Sequence, residues 1–190
     1  MTDQQGHEGG RGGGADGYEA LVYDLDGTLV RLDVDWGAVA AEAAAVLRAR
    51  GLETEGSLWD HLQRAEEAGD RHRQAVEEVI ADHEREGARS ADRLPLADEL
   101  PAGVPTGVCS LNCEAACRVA LELHGLDGHV DAIVGRDTLG AHKPDPEPLL
   151  ATADALGADP RATLFIGDSD SDRVTAERAG VDFQAVADRR

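Results

Sequence analysis

Lysine is nearly missing from this 190-residue chain. Lys143 is the only one, and arginine fills the other 17 of its 18 basic positions. Against them stand 38 Asp and Glu, for a formal net charge of −20. A surface of that sign repels phosphate backbones and anionic bilayers, which excludes nucleic acid and membrane as partners. It also repels a small phosphorylated molecule unless cationic help is supplied locally. No apolar run is long enough to cross a bilayer and no signal peptide is evident, so a cytoplasmic protein, monomer or homodimer, is expected. Aromatic residues make up only 3%. The three cysteines, Cys109, Cys113 and Cys117, lie four apart and form no bridging pattern, so they are expected as buried free thiols in a reducing compartment. The acidic, arginine-rich, aromatic-poor balance reads as that of a salt-adapted, halophilic protein, whose self-repulsion salt would screen.

What is present is a foldable core: 42% of the chain is hydrophobic, enough for one domain with an insert. Residues 1–17 carry seven glycines and no phosphate-binding-loop pattern, and are expected to be a flexible tail. Ala20 to Tyr23 reads as a short buried strand. Residues 35–91 then change character: Trp36, Val39, Ala43 and Leu47 fall at helical spacing, followed by Leu58, Leu62, Ala65, Val76 and Ile80. This predicts an insert of about three helices. Its histidines, His61, His72 and His83, are expected on the surface because Gly69 interrupts any single helix. Beyond residue 104, strands (104–110, 130–134, 162–166, 181–186) alternate with helices (113–124, 146–156, 170–179). The fold class is therefore α/β, a Rossmann-like, doubly wound parallel sheet of five strands. Residues 18–34 and 92–190 form its core domain, and the small helical cap at 35–91 enters after the first strand.

Asp24-Leu25-Asp26-Gly27-Thr28 lies where the first strand gives way to a turn. In open α/β sheets ligands bind just beyond the carboxyl ends of the strands. Two acids one residue apart can divide labour there, one attacking or holding a metal and the other moving a proton. Gly167-Asp168-Ser169-Asp170-Ser171-Asp172 follows another strand and opens a helix. Were the two strands neighbours, Asp168 would face Asp24, and carboxylates converging there need a hard cation. Oxygen donors without His or Cys suit Mg²⁺. The competing reading, that Asp168 to Asp172 cap a helix N-terminus, stands beside it. Lys143, retained where every other base is Arg, offers a compact ammonium that can sit between a carboxylate and a phosphoryl oxygen. A surface loop that kept its Lys by chance is the alternative, and His142 beside it is read as a solvated neighbour. Ser110 closes a core strand, where its hydroxyl and the following N–H groups could hold a phosphoryl oxygen. No Gly-x-Ser-x-Gly surrounds it, which disfavours a serine nucleophile.

In order and spacing, Asp24 to Thr28, Ser110, Lys143-Pro144 and Gly167-Asp168 through Asp172 to Gly180 resemble the haloacid dehalogenase-like hydrolase superfamily, in its phosphoglycolate phosphatase-like branch. The resemblance implies a Mg²⁺-dependent phosphatase for a small phosphorylated metabolite. Asp24 would be the nucleophile that forms an aspartyl-phosphate and Asp26 the general acid and base. Thr28, Ser110 and Lys143 would bind phosphate. The ion would be held by the Asp24 carboxylate, the Asp26 carbonyl and Asp168, with Asp172 in support. Having Asp26 as well as Asp24 favours phosphoryl transfer over dehalogenation, since a halide leaves without a proton. A sugar-phosphate mutase and a non-catalytic binding protein are the alternatives. One departure is Ser110-Leu111-Asn112, where relatives commonly place Asn directly after the Ser or Thr. Arg48, Arg50, Arg64, Arg71 and Arg73 are the insert residues that could read a substrate's second anionic group.

Overall fold

A computed structural model describes residues 17–189 of the chain; all but the last residue of the expected glycine-rich tail lies outside them. Five strands form one parallel sheet: β1 (Ala20–Tyr23), β4 (Thr106–Cys109), β5 (Ala132–Val134), β6 (Thr163–Gly167) and β7 (Asp182–Ala185), in the order β5-β4-β1-β6-β7. All four residues of β1 are buried, as a strand covered on both faces requires. Its centrality matters for function, because β1 pairs with β4 on one side and β6 on the other. The expected strands are each present, with ends displaced by one or two residues.

Helix α4 (Glu114–Leu123) packs Ala116, Cys117, Ala120 and Leu121 against one face of the sheet, where Leu21, Tyr23 and Ile166 meet them. Helices α5 (Glu147–Ala155) and α6 (Asp170–Ala179) cover the other face through Leu149 and Ala176, against Val22 and Phe165. Each full burial of such a side chain is worth roughly 1.5–3 kcal/mol. All three cysteines are buried and free, and burial pushes Cys109 up to about 12 and Cys113 up to about 11, so they stay protonated thiols.

The insert is helical as expected: α1 (Trp36–Arg48), α2 (Leu58–Ala68) and α3 (Asp70–Ala88). Asp35 caps α1 through the N–H groups of Gly37 and Ala38, and Ser57 with Asp60 forms a capping box on α2. The three helices share a core of their own, with Val39, Leu47, Leu62, Val76 and Ile80 at its centre. Two short strands escaped the sequence reading. β2 (Val30–Arg31) and β3 (Asp92–Arg93) pair antiparallel, so the chain leaves for the insert and returns through one ribbon. Two further expectations need correction. His61 is buried, not on the surface, because its Nε2 bonds to the Thr54 carbonyl at 3.1 Å. Trp36, placed by spacing on a buried helix face, is 41% exposed.

Half of the ion pairs among the described residues are Arg–carboxylate contacts three or four residues apart on helix faces, such as Arg118–Glu114 and Arg73–Glu77. Pairs of that kind are worth about 0–1 kcal/mol each and cannot offset the repulsion of a −20 surface. The expected result is a melting temperature that climbs with KCl toward molar concentration. A thermal-melt series flat in KCl would remove the salt-adaptation reading.

Candidate active site

The central place of β1 brings three strand ends together. Asp24 follows β1, Ser110 follows β4, and Asp168 follows β6. The Asp24 N–H donates to the Ile166 carbonyl at 2.8 Å, which locks the first acid to the strand that delivers Asp168. Lys143 arrives from the loop before α5 and is buried. Its Nζ donates to Asp24 Oδ1 at 2.9 Å and to Asp172 Oδ1 at 2.5 Å, and lies 5.5 Å from the centre of the Phe165 ring. The retained lysine is therefore no surface accident. A guanidinium is broader than this slot between two carboxylates and an aromatic face.

Charge in the site is unbalanced. Burial pushes the Asp24 carboxyl up to about 6; Lys143 pulls it down and Asp172 adds to the rise. Desolvation disfavours the Lys143 ammonium, yet Asp24 and Asp172 outweigh it and hold its pKa above the usual range. Asp26 is raised by partial burial, while its Oδ1 accepts the Leu32 N–H at 2.9 Å. Asp168 is raised by desolvation and by Asp172.

Two glycines make the crowding possible. Gly27 turns with φ +85°, and a Cβ there would overlap the Asp168 carboxylate. A Cβ at Gly167 would overlap the Asp172 carboxylate in the same way. Carboxylate oxygens of Asp24, Asp168 and Asp172 lie within 4.8 Å of one another. Three acids against one ammonium, with oxygen as the only donor type, fit a hard divalent cation such as Mg²⁺. Asp172 does more than stand ready for an ion. Its Oδ2 accepts the N–H and hydroxyl of Ser169 in a capping box on α6, and its Oδ1 holds Lys143. The capping reading of this segment thus applies to Ser169 and Asp172, whereas Asp168 stands outside the cap.

A cavity of about 200 Å³ opens over these residues, with Asp24, Asp26, Ser110, Lys143 and Asp168 in its wall. Two expected site residues lie outside that wall: Asp172, fully buried and bonded to Lys143, and Thr28. After the Gly27 turn its N–H bonds back to the Leu25 carbonyl, and the buried side chain lines a separate cavity of about 280 Å³ with Arg31 and Arg189. Nor do Arg48, Arg50, Arg64, Arg71 or Arg73 line the cavity over Asp24. Arg48 and Arg64 are spent on the insert's own Thr54 and Glu55, and Arg73 on Glu77.

Four residues of the site region were missed by sequence reasoning. Trp36 and Trp59, at the starts of α1 and α2, face the cavity from the insert, as does Glu84 of α3. Glu84 is buried against Arg136, whose Nη1 and Nη2 donate to its carboxylate at 2.5 and 3.0 Å. The same carboxylate accepts the Cys113 N–H at 2.9 Å and the Asn112 amide at 3.4 Å. Asn112 Oδ1 in turn accepts the Ser110 hydroxyl at 3.1 Å, and Arg136 Nη1 donates to the Leu111 carbonyl at 2.7 Å. Asn112, out of step with the family pattern, thereby acquires a definite part: it links Ser110 to the insert. A Glu and an Arg amid so many surface charges carry no local mark of this pairing.

Comparison with known proteins agrees with the geometry. Residues 21–186 match the family model described as haloacid dehalogenase-like hydrolase. A phosphoglycolate phosphatase of Rhodospirillum rubrum is 34% identical, over 86% of this chain and 77% of its own length. One from Aquifex aeolicus is 30% identical, over 84% and 80%. The crystal structure of a haloacid dehalogenase-superfamily hydrolase of subfamily IA, variant 1, from Geobacter sulfurreducens superposes with a TM-score of 0.59 at 27% identity, covering 88% of this chain and 89% of that one. The chain belongs to the haloacid dehalogenase-like hydrolase family.

Proposed function

We propose that this phosphatase cleaves a small phosphorylated metabolite through an aspartyl-phosphate on Asp24, with Mg²⁺ as cofactor. The observation that carries the reading is the convergence of Asp24, Lys143, Ser110 and Asp168 on one cavity at the ends of adjacent strands. Lys143 holds Asp24 Oδ1, leaving Oδ2 to attack phosphorus in line with the departing oxygen. Asp26, whose carboxyl partial burial pushes above its usual range, would give a proton to the leaving oxygen. It then takes a proton from the water that attacks the phosphoryl group, which frees phosphate and restores Asp24. Lys143 and the Ser110 hydroxyl neutralise and orient the transferring group, the main demand of phosphoryl transfer. Asp24 and Asp168, with Asp172 adjoining, would hold Mg²⁺, which supplies Lewis-acid charge to offset repulsion between carboxylate and phosphate dianion. The relatives' substrate, phosphoglycolate, and sugar phosphates are the first compounds to try.

The test is phosphate release by the purified chain in high KCl from a panel of phosphomonoesters. Release with Mg²⁺ that stops on adding EDTA and returns with excess Mg²⁺ is expected. Undiminished release in EDTA would remove the metal from the mechanism, and silence across the whole panel would remove the enzymatic reading.

A further inference from the structure

The walls of the catalytic cavity say what kind of leaving group it takes. The chain has six aromatic residues, two each of Trp, Tyr and Phe. Tyr23 and Phe165 are fully buried in the core, as the hydrophobic effect demands. The two tryptophans do the opposite: Trp36 is 41% and Trp59 54% exposed, and both line this one cavity. They enter from different helices of the insert, so no single amphipathic stripe accounts for both. Each keeps about half of its surface open, and on this cavity that surface is available to a bound substrate.

Charge selects on the same ground. Asp24, Asp26, Glu84 and Asp168 line the cavity, and among the described residues Lys143 is the only basic one that does. That ammonium is already bonded to Asp24 and Asp172, and Arg136 is bonded to Glu84 and the Leu111 carbonyl. The rest of the lining is uncharged: Trp36, Trp59, Ser110, Leu111, Asn112 and Ser169. A carboxylate there would find no cation but the already bonded Lys143 among the described lining residues and would face Glu84.

We propose that the substrate is a phosphomonoester whose leaving group is an uncharged ring, laid against Trp36 and Trp59, and not the short carboxylate of phosphoglycolate. The proposal rests on the phosphatase reading above. The ring's essential property is an apolar face for an indole to cover, which a sugar or an aryl group supplies. Neutral rings also avoid the repulsion that a second anionic group would meet in an acid-lined, partly desolvated site.

The experiment uses the full chain with Mg²⁺ in high KCl. Its substrates are ribose 5-phosphate and glucose 6-phosphate as sugar arms, 4-nitrophenyl phosphate as the aryl arm, phosphoglycolate, and ethyl phosphate as a neutral ester without a ring. At least one ring arm is expected to exceed phosphoglycolate in kcat/KM by about tenfold or more, and the better arm identifies the ring type. Trp36→Ala and Trp59→Ala should each raise KM for that ring substrate by up to about tenfold more than KM for ethyl phosphate. Trp→Phe should restore most of the loss. Because the only two tryptophans line the cavity, indole fluorescence gives binding without turnover: ring phosphates should change it, and phosphoglycolate should not at equal concentration. Preference for phosphoglycolate, or Trp→Ala variants that handle ring and ethyl esters alike, would overturn the proposal and leave the phosphatase reading standing. Absence of phosphate release from every compound would instead strike that underlying reading.

Discussion

Asp24→Asn is expected to abolish turnover and phosphoenzyme formation while the protein remains folded. The amide cannot attack phosphorus, and the neighbouring Asp26 is engaged through its Oδ1 by the Leu32 N–H. A loss of at least about 10³-fold in kcat is the appropriate scale for removing a covalent nucleophile. Folding should survive because Lys143 keeps its bond to Asp172. Stability adds a second readout. Burial raises the Asp24 carboxyl from the usual 3.8 to about 6, with Lys143 opposing and Asp172 adding to the rise. Since its folded pKa lies above its unfolded one, its contribution to stability is fully present below about pH 4 and is lost as pH rises through about 6. In chelator, melting curves of the parent should therefore lose stability across that window, and the Asp24→Asn variant should flatten part of the loss. Normal phosphate release by the same variant would contradict the covalent mechanism outright.

How far the sequence alone reached follows a physical division. Strand ends were legible because burial on both faces writes continuous apolar runs, as in Ala20–Tyr23 and Leu164–Ile166, and each run stops at its functional residue. The adjacency of β1 and β6, which makes Asp24 and Asp168 neighbours, was the assumption on which the candidate metal site depended, and the sheet order supplies that adjacency. Residues acting across the gap between insert and core had no such signature. Trp36 sits at helical spacing and resembles a core position until the insert is seen leaning over the sheet. Glu84 and Arg136 are 52 positions apart, and only α3 passing alongside the Ser110–Cys113 loop brings them together. Thr28 illustrates the same limit: the motif places it beside Asp26 in sequence, but only the turn at Gly27 shows that its side chain lines a neighbouring cavity.

The same pair yields the other large expected effect. Helix α3 runs from the insert's own core, through Ile80, to the sheet's core at Ala88, so Glu84 is a rigidly borne strut. Both charges are almost fully buried, at 1% and 6% exposure. Removing one partner strands the other, and breaking such a pair costs about 3–5 kcal/mol. Urea unfolding of Arg136→Met and of Glu84→Gln should each show a loss on that scale. Replacing both, as Glu84→Met with Arg136→Met, removes the stranded charge and should recover most of the stability. Activity should not follow. Without Glu84 the Cys113 N–H and the Asn112 amide lose their acceptor, and Asn112 no longer holds the Ser110 hydroxyl in register with Lys143. A misplacement of even about 1 Å in a phosphate-positioning group can cost about 10²-fold in rate. The double variant should therefore unfold near the parent midpoint while kcat/KM stays depressed by about tenfold or more. Activity that returned together with stability would reduce Glu84 to a structural anchor with no hold on the chemistry.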